Sequence, residues 1–231
     1  MYTELLTDIV DFDEDLLRNI KGIRISQDLF DDLGDNADDY TVAHAAESRD
    51  TVATDQRLLS RPFDYGTAIT FPFLGANWQR TRFSDGSRYG VWYGSLDLAT
   101  TIYESVYHWR RFVLASFSDE AADVVAERRV IKAKCRGILV SLLDKEIEWP
   151  ALIDPDDYTF TNALGGYLHA QGQNGLLAKS ARYNGTNGVI FKQSVLSEAR
   201  DHCFLTYLFN PRANGAIRVE REQGILLLNV F

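Results

Sequence analysis

The sequence has few cysteines and prolines, and it lacks long apolar runs. Its 231 residues include five prolines and two cysteines, Cys135 and Cys203, which form no motif. No stretch approaches the roughly 20 consecutive apolar residues that cross a bilayer as a helix. The acidic N-terminus, MYTELLTDIVDFDEDLL, lacks the basic flank and cleavage site of a signal peptide. These absences predict a cytoplasmic protein in a reducing environment, with no membrane partner.

Basic residues are also in deficit. Lys and Arg total 24 against 33 Asp and Glu, which gives a formal net charge of −9. Such a surface repels nucleic acid and anionic membranes unless a local basic patch intervenes. Direct nucleic-acid binding is therefore not expected. A small anionic substrate would need a cleft lined by arginines that offset the net negative charge of the protein.

Several common catalytic motifs are missing. The chain has no GxxxxGK[ST] phosphate loop, no GxGxxG dinucleotide fingerprint and no GxSxG nucleophile elbow. Its four histidines, His44, His108, His169 and His202, lie far apart and belong to no CxxC or HExxH pattern. The sequence therefore predicts neither a metal site nor a resident cofactor.

The amino-acid composition of the chain changes near residue 56. We expect residues 1–56 to be an acid-rich segment that packs on or completes the main domain, residues 57–231, and the run at 31–55 to form one or two short helices plus loop. In the main domain strand signals outnumber helices and do not alternate with them, which favours an α+β fold. The predicted strands lie at 90–94, 125–143, 175–180, 189–191, 204–209 and 225–231.

Two helices are predicted in the main domain. Ser95 or Asp97 can cap a helix that runs to about Arg111, with Glu104 on its polar side. The acidic run at 154–157 offers a cap for a second helix, which should end at Gly172.

Two ordered segments carry the candidate chemistry. The first begins at Thr81 and reads TRFSDGSRYGVWYGS. Tyr93 follows Arg82 by eleven residues, and Glu104, beyond the segment, follows Tyr93 by eleven more. The second reads DPDDYTFTNALGGYLHAQGQNGLLAKSARYNGTNGVIF over residues 154–191 and contains Thr159.

These segments resemble the RES-domain family, named for Arg, Glu and Ser. Members carry a pattern like RFSDGSYGVYYA, a helix with TAxxE, and an aromatic-rich YH. They also carry DPDDYTxxQALG, a GxxGIxYxSVR strand and a GxNxxxF strand. The resemblance covers about residues 69–197, and it departs from the pattern near Phe71, where the family often has histidine, and at Asn162, where glutamine is common.

The resemblance implies an ADP-ribosyltransferase-like fold, with a mixed, mostly antiparallel sheet core, flanking helices and a cleft for NAD⁺. It implies a cytoplasmic toxin paired with an antitoxin, usually of the Xre type, and a homodimer stays open. Family members cleave the nicotinamide–ribose bond by hydrolysis or phosphorolysis, or they transfer ADP-ribose to a protein. These activities, and a catalytically idle binding module, stay open from the sequence, and NAD⁺ would be a substrate and not a cofactor.

The resemblance also implies roles for single residues. Arg82 would grip the pyrophosphate, and Tyr93 would contact the nicotinamide ribose. Glu104 would stabilise oxocarbenium-like charge or orient the nucleophile. Ser180 would position a phosphate or ribose hydroxyl, although it could equally satisfy neighbouring backbone groups. Thr159, at a helix start, would assist through its hydroxyl and nearby amides.

The arginine that comes first in the family pattern is harder to place. It falls on Arg18 in an ungapped alignment, or on Arg24 if the intervening loop is shorter. For both, a salt bridge with the surrounding aspartates is the alternative to a substrate-binding role. Arg57 and Arg61 are further candidates.

Overall fold

The computed structural model describes residues 2, 4–22, 64–222 and 224–230. Met1–Gly22 and Tyr65–Phe231 form one compact unit. The described ranges contain eight β-strands and three α-helices, joined by loops and short 3₁₀ turns. The strands are β1 (Ile9–Lys21), β2 (Trp92–Ser95), β3 (Val124–Ser141), β4 (Gly175–Lys179), β5 (Thr186–Ile190), β6 (Leu196–Phe209), β7 (Ile217–Glu222) and β8 (Ile225–Val230), and the helices are α1 (Tyr65–Thr70), α2 (Leu98–Ser116) and α3 (Thr159–Ala170).

All eight strands belong to one sheet, in the order β1-β2-β5-β4-β3-β6-β7-β8. β1 also pairs with β3, so that β1, β2, β5, β4 and β3 close into a ring. Every pairing is antiparallel except the short one between β3 and β4. The predicted α+β class, with a mixed and mostly antiparallel sheet and flanking helices, is confirmed.

The first strand was not predicted, because its acidic residues resemble a solvated segment. β1 pairs with β3 along its whole length, and it buries Phe12, Leu16 and Leu17. Asp13 and Asp15 form ion pairs across the sheet, with Asp13 2.6 Å from Lys134. Cross-strand charge pairs of this kind make an acid-rich strand compatible with the sheet. The helices expected within 31–55 lie outside the described residues.

The predicted strand boundaries need correction in the second half of the sheet. β6 begins at Leu196, eight residues before its predicted start at 204, and β7 was missed altogether. β7 reads IRVERE, and its charged residues alternate with buried Ile217 and Val219. A short strand with four of its six positions charged gives a weak apolar signal.

Helix α2 begins as the sequence predicts and ends later. The Asp97 carboxylate accepts a hydrogen bond from the Thr100 amide at 2.8 Å, which is an N-cap. The helix continues past Arg111 to Ser116, because Val113 extends the buried stripe begun by Ile102 and Val106. No helix in the described ranges is long and apolar enough to cross a membrane.

The two longer helices pack on different parts of the sheet. Leu164 and Leu168 of α3 share a core cluster with Leu176 of β4 and Val189 of β5. The buried face of α2 packs in a second cluster with β6, β7 and Leu17 of β1. Glu104, in the first half of α2, therefore faces the loop between β4 and β5.

Candidate active site

Glu104 is held by its neighbours through one carboxylate oxygen. Its Oε1 accepts hydrogen bonds from Ser180 Oγ at 2.6 Å and from Asn187 Nδ2 at 2.8 Å. Asn187 is fixed in turn by Ser95, whose hydroxyl donates to its Oδ1 at 2.7 Å. Within the described part of the chain, no hydrogen bond reaches Oε2 of Glu104. The carboxylate is thus oriented with one oxygen open to a ligand.

Ser180 links this carboxylate to the loop after β4. The residue is 4% exposed, and its Oγ also accepts hydrogen bonds from the amides of Arg182 and Tyr183 at 3.0 and 3.2 Å. The hydroxyl therefore caps a turn and donates its proton to Glu104. The predicted contact of Ser180 with neighbouring backbone amides is present, its hydrogen bond to Glu104 was not predicted, and its role toward a phosphate or ribose hydroxyl stays a prediction.

Gly185 lets that loop lie directly on α2. A Cβ at this position would sit 1.8 Å from Thr100 Oγ1 and 2.8 Å from Asp97 Oδ2. Since no side chain fits there, glycine permits the close approach. That approach places Ser180 and Asn187 on either side of the Gly185 turn within reach of Glu104.

Tyr93 holds the backbone around Arg82. Its hydroxyl accepts a hydrogen bond from the Phe83 amide at 3.0 Å and donates to Thr81 Oγ1 at 3.0 Å. Burial raises the pKa of Tyr93 well above its ordinary value, so the phenol stays protonated. Both sides of Arg82 are thereby tied to one hydroxyl, and the predicted contact of Tyr93 with the ribose stays a prediction.

Only one nitrogen of the Arg82 guanidinium donates hydrogen bonds to described residues. Its Nη1 donates to the carbonyls of Asp154 and Leu152 at 2.6 and 3.4 Å, and its Cζ lies 4.6 Å from the centre of the Tyr158 ring. Nε and Nη2 make no hydrogen bond to any described residue. One edge of the guanidinium therefore remains for a phosphate oxygen.

A second arginine lies beside it. Arg182 stacks on Tyr107, with Cζ 3.4 Å from the ring centre, and its Nη2 donates to Pro155 O and, at 3.3 Å, to Tyr158 Oη. Its Nε is buried and has no partner among the described residues. Because Tyr158 touches both Arg82 and Arg182, the two guanidinium groups are neighbours.

His108 lies within the electrostatic influence of Glu104 and of several arginines. It lies one turn after Glu104 on α2, and its pKa is lowered by partial burial. The Glu104 carboxylate opposes that shift, whereas the positive charges of Arg182, Arg111 and Arg82 reinforce it. The charges of Glu104 and of three arginines therefore act on one imidazole, although the protein as a whole carries a net charge of −9.

Arg18 lies apart from this cluster. Its Nη1 donates to the carbonyl of Tyr93 at 3.1 Å, and its Cζ lies 5.3 Å from the Trp92 ring centre. Leu17 packs with α2, so the adjacent Arg18 side chain is directed to the opposite face of the sheet. Burial lowers the pKa of Arg18 to about 10, and no carboxylate in the described ranges pairs with it. For Arg18, the salt bridge and the substrate-binding role both stay predictions.

Four predicted site residues remain, Thr159 and three arginines. Thr159 is the exposed first residue of α3, and its amide already donates to Asp157 Oδ1 at 2.8 Å. Its proposed role in substrate binding stays a prediction. Arg24, Arg57 and Arg61 lie outside the described residues.

Sequence reasoning missed Arg182 and Asn187 as site residues. Both matched the family pattern, since Arg182 corresponds to the last residue of the SVR pattern and Asn187 to the asparagine of GxNxxxF.

No group of three or more His, Cys, Asp or Glu side chains in the described ranges could hold a metal ion. A nearby depression of about 210 Å³, lined in part by Glu146 and Lys179, does not include Glu104.

Comparison with known protein families matches the RES domain to residues 55–210. The chain belongs to the RES-domain family. The match contains Arg82, Tyr93, Glu104 and Ser180, and it begins beyond Arg18. The RES-domain assignment therefore covers the whole Glu104 and Arg82 cluster, but not the two N-terminal arginines considered for the first family position.

Comparison with curated proteins gave no match. A solved structure similar to this chain is described as the M. tuberculosis MbcT-MbcA toxin-antitoxin complex. The identity is 11%, the alignment covers 84% of this chain and 86% of that one, and the TM-score is 0.41. At that TM-score, no conclusion about this RES-domain protein rests on the likeness.

Proposed function

We propose that this RES-domain protein is a cytoplasmic toxin that cleaves the nicotinamide–ribose bond of NAD⁺. The observation that carries the proposal is the Glu104 carboxylate, held at Oε1 by Ser180 and Asn187 and open at Oε2. Arg182, whose backbone amide binds the same serine, and Arg82, which shares Tyr158 with it, add positive charge nearby in an acidic protein. A fixed anion next to a cationic cluster suits a substrate with a cationic glycosidic bond and a pyrophosphate.

Glu104 would act on the ribose. When the bond between C1′ and the nicotinamide nitrogen breaks, nicotinamide leaves with the bonding electron pair and positive charge builds on the ribose, as in glycoside hydrolysis. The free Oε2 would stabilise that charge electrostatically. The oxygen of water or phosphate would then bond to C1′, and its proton would pass to solvent or to Glu104.

The arginines would hold the other part of the substrate. The free edge of Arg82 provides two parallel donors that suit a phosphate. Arg182 adds a second positive charge, and its contact with Tyr107 keeps its guanidinium in place. Tyr93 would contribute by keeping Arg82 in position and by contacting the ribose with its ring.

The toxin role and the antitoxin partner are inferred from family membership. RES-domain toxins act in pairs with antitoxins, so we infer a cognate antitoxin of the Xre type and an ADP-ribosyltransferase-like architecture. NAD⁺ would be the substrate, and no resident cofactor is needed for the bond cleavage proposed. A homodimer is compatible with this function but not required by it.

The test is a product analysis. The purified protein is incubated with NAD⁺, with and without inorganic phosphate and with a cell lysate, and the products are followed by NMR and mass spectrometry. We expect release of nicotinamide together with ADP-ribose or its phosphate ester. Transfer of ADP-ribose to a lysate protein as the sole reaction would support the alternative activity. Absence of NAD⁺ loss together with binding of a neighbouring gene's product would favour an idle binding module and overturn the proposal.

A further inference from the structure

Helix α3 makes a direct polar contact with the backbone on either side of Arg82. Asn162, in the first turn of α3, donates through Nδ2 to the carbonyl of Thr81 at 2.7 Å and to the carbonyl of Arg82 at 2.8 Å. An amide NH₂ group has two protons, and each finds one carbonyl. Asn162 thus bridges two successive peptide units with both of its donors.

The contact is possible because α3 lies against this loop. Gly165 is one turn after Asn162, and a Cβ there would sit 2.1 Å from the carbonyl oxygen of Phe83. No larger residue fits without moving the helix or the loop. Residues three apart share a helix face, so the same face of α3 offers Asn162 to the loop just before Phe83.

Asn162 and Tyr93 hold the loop from two different elements. Tyr93 of β2 binds the Phe83 amide and the Thr81 hydroxyl, whereas Asn162 of α3 binds the carbonyls of Thr81 and Arg82. The peptide groups that flank the Arg82 Cα are therefore fixed, and with them the direction in which its side chain leaves the backbone. A side chain with many rotatable bonds loses less entropy on binding a ligand when its base is fixed.

We propose that Asn162 is a positioning residue that directs Arg82 to the anionic part of the substrate. The proposal rests on the proposed function, in which Arg82 binds the NAD⁺ pyrophosphate. Asn162 makes no contact with substrate itself and acts through the loop. Two carbonyl acceptors require two donors, so the amide can be replaced by glutamine but not by a carboxylate or an apolar group.

The first measurement is ligand affinity. ADP, which carries the diphosphate without a cleavable nicotinamide, is titrated into the protein by calorimetry, and NAD⁺ cleavage is measured in parallel. Asn162→Leu should weaken ADP binding about tenfold, the size of one lost charge-assisted contact, and raise KM for NAD⁺ more than it lowers kcat. Asn162→Gln, which keeps both donors, should restore most of the affinity. Unchanged ADP affinity in Asn162→Leu would overturn the proposal.

Asn174 provides a matched control. Its Nδ2 donates to the carbonyl of Ile138 at 3.0 Å, a comparable bond just before the start of β4, at the end of the strand away from Ser180. Asn174→Leu should leave ADP affinity unchanged. Equal loss of affinity in Asn174→Leu and Asn162→Leu would show that a general loss of stability is responsible, which would also overturn the proposal.

A double-mutant cycle separates positioning from a direct effect. In an Arg82→Lys background, where the guanidinium is gone, Asn162→Leu should change ADP affinity less than twofold. A tenfold loss in both backgrounds would refute action through Arg82. If Asn162→Leu does not fold, Asn162→Ala, which leaves room for water, replaces it in the cycle. A wild-type protein that binds ADP but cleaves no NAD⁺ would refute the proposed function and leave the positioning role intact.

Discussion

Glu104→Gln should remove most NAD⁺ cleavage without disturbing the fold. In the structure, Oε1 of Glu104 accepts from Ser180 and Asn187. The carbonyl oxygen of glutamine can accept both bonds, and its NH₂ group would take the place of Oε2, which is bonded to no described residue. The substitution therefore changes the charge at the open position and little else.

The size of the effect follows from the electrostatics. Two unit charges about 4 Å apart attract by about 4 kcal/mol at an effective dielectric constant near 20. Glu104 would stabilise only the partial charge that develops on the ribose, so a loss of about 3–4 kcal/mol is expected. Each 1.36 kcal/mol corresponds to about a tenfold change in rate, so kcat should fall by roughly 10²–10³. Loss of an oriented electrostatic group in other enzymes has effects of this size.

The assay is release of nicotinamide at saturating NAD⁺, with thermal unfolding and ADP affinity measured for each variant. Glu14→Gln, at an exposed position of β1, is the matched control and should retain full activity. Ser180→Ala keeps the carboxylate but removes one of its two donors, so its kcat should fall much less, by about tenfold.

Two results would refute this reasoning. If Glu104→Gln kept wild-type kcat, the negative charge at Oε2 would have no catalytic role. If Ser180→Ala were as inactive as Glu104→Gln while still binding ADP, the serine would act on the substrate directly, and its hydrogen bond to Glu104 would not explain its role.

Three further predictions concern stability. Tyr93→Phe leaves the Phe83 amide without its acceptor, so the free energy of unfolding measured in urea should fall by about 1–3 kcal/mol, whereas exposed Tyr167→Phe should have little effect. Gly165→Ala places a methyl group against the Phe83 carbonyl and should cost about 1–3 kcal/mol or more; a neutral result would show that α3 can shift. Because the pKa of His108 is lowered in the fold, the unfolded chain takes up its proton first as pH falls below about 6.5. His108→Gln should therefore lose less stability than wild type between pH 7 and pH 5, and parallel curves would contradict the lowered pKa.

Local signals explain what the sequence predicted correctly. The cap at Asp97 and the apolar stripe of α2 depend on residues within a few turns of one another, and the glycine at 172 follows the end of α3, with a positive φ of 73°. Such features are encoded by adjacent residues. The α+β class follows from the count and spacing of these elements.

Features that depend on distant partners could not be predicted in the same way. β1 was missed because its acidic residues gain their partners only on pairing with β3, where Lys134 lies more than a hundred residues away in sequence. The contact of Asn162 with the Arg82 loop likewise joins residues 80 apart. Chain spacing alone carries no information on either contact, and only the family pattern places the residues in one site.

The dependence between Glu104 and Ser180 shows why such residues function as a group. They are 76 residues apart in sequence, and each loses a hydrogen-bond partner when the other is removed. Without Ser180, the carboxylate loses one of the two donors that orient it, and Oε2 is no longer held in one direction. Without Glu104, the hydroxyl of buried Ser180 loses the acceptor for its proton, although it still caps the amides that follow. Since an unsatisfied buried polar group costs about 1–3 kcal/mol, the pair stabilises the β4–β5 loop as well as orienting the carboxylate. A substitution that removes these hydrogen bonds should therefore affect both the stability of this loop and the catalytic rate, whereas Glu104→Gln preserves the hydrogen bonds and should affect only the rate.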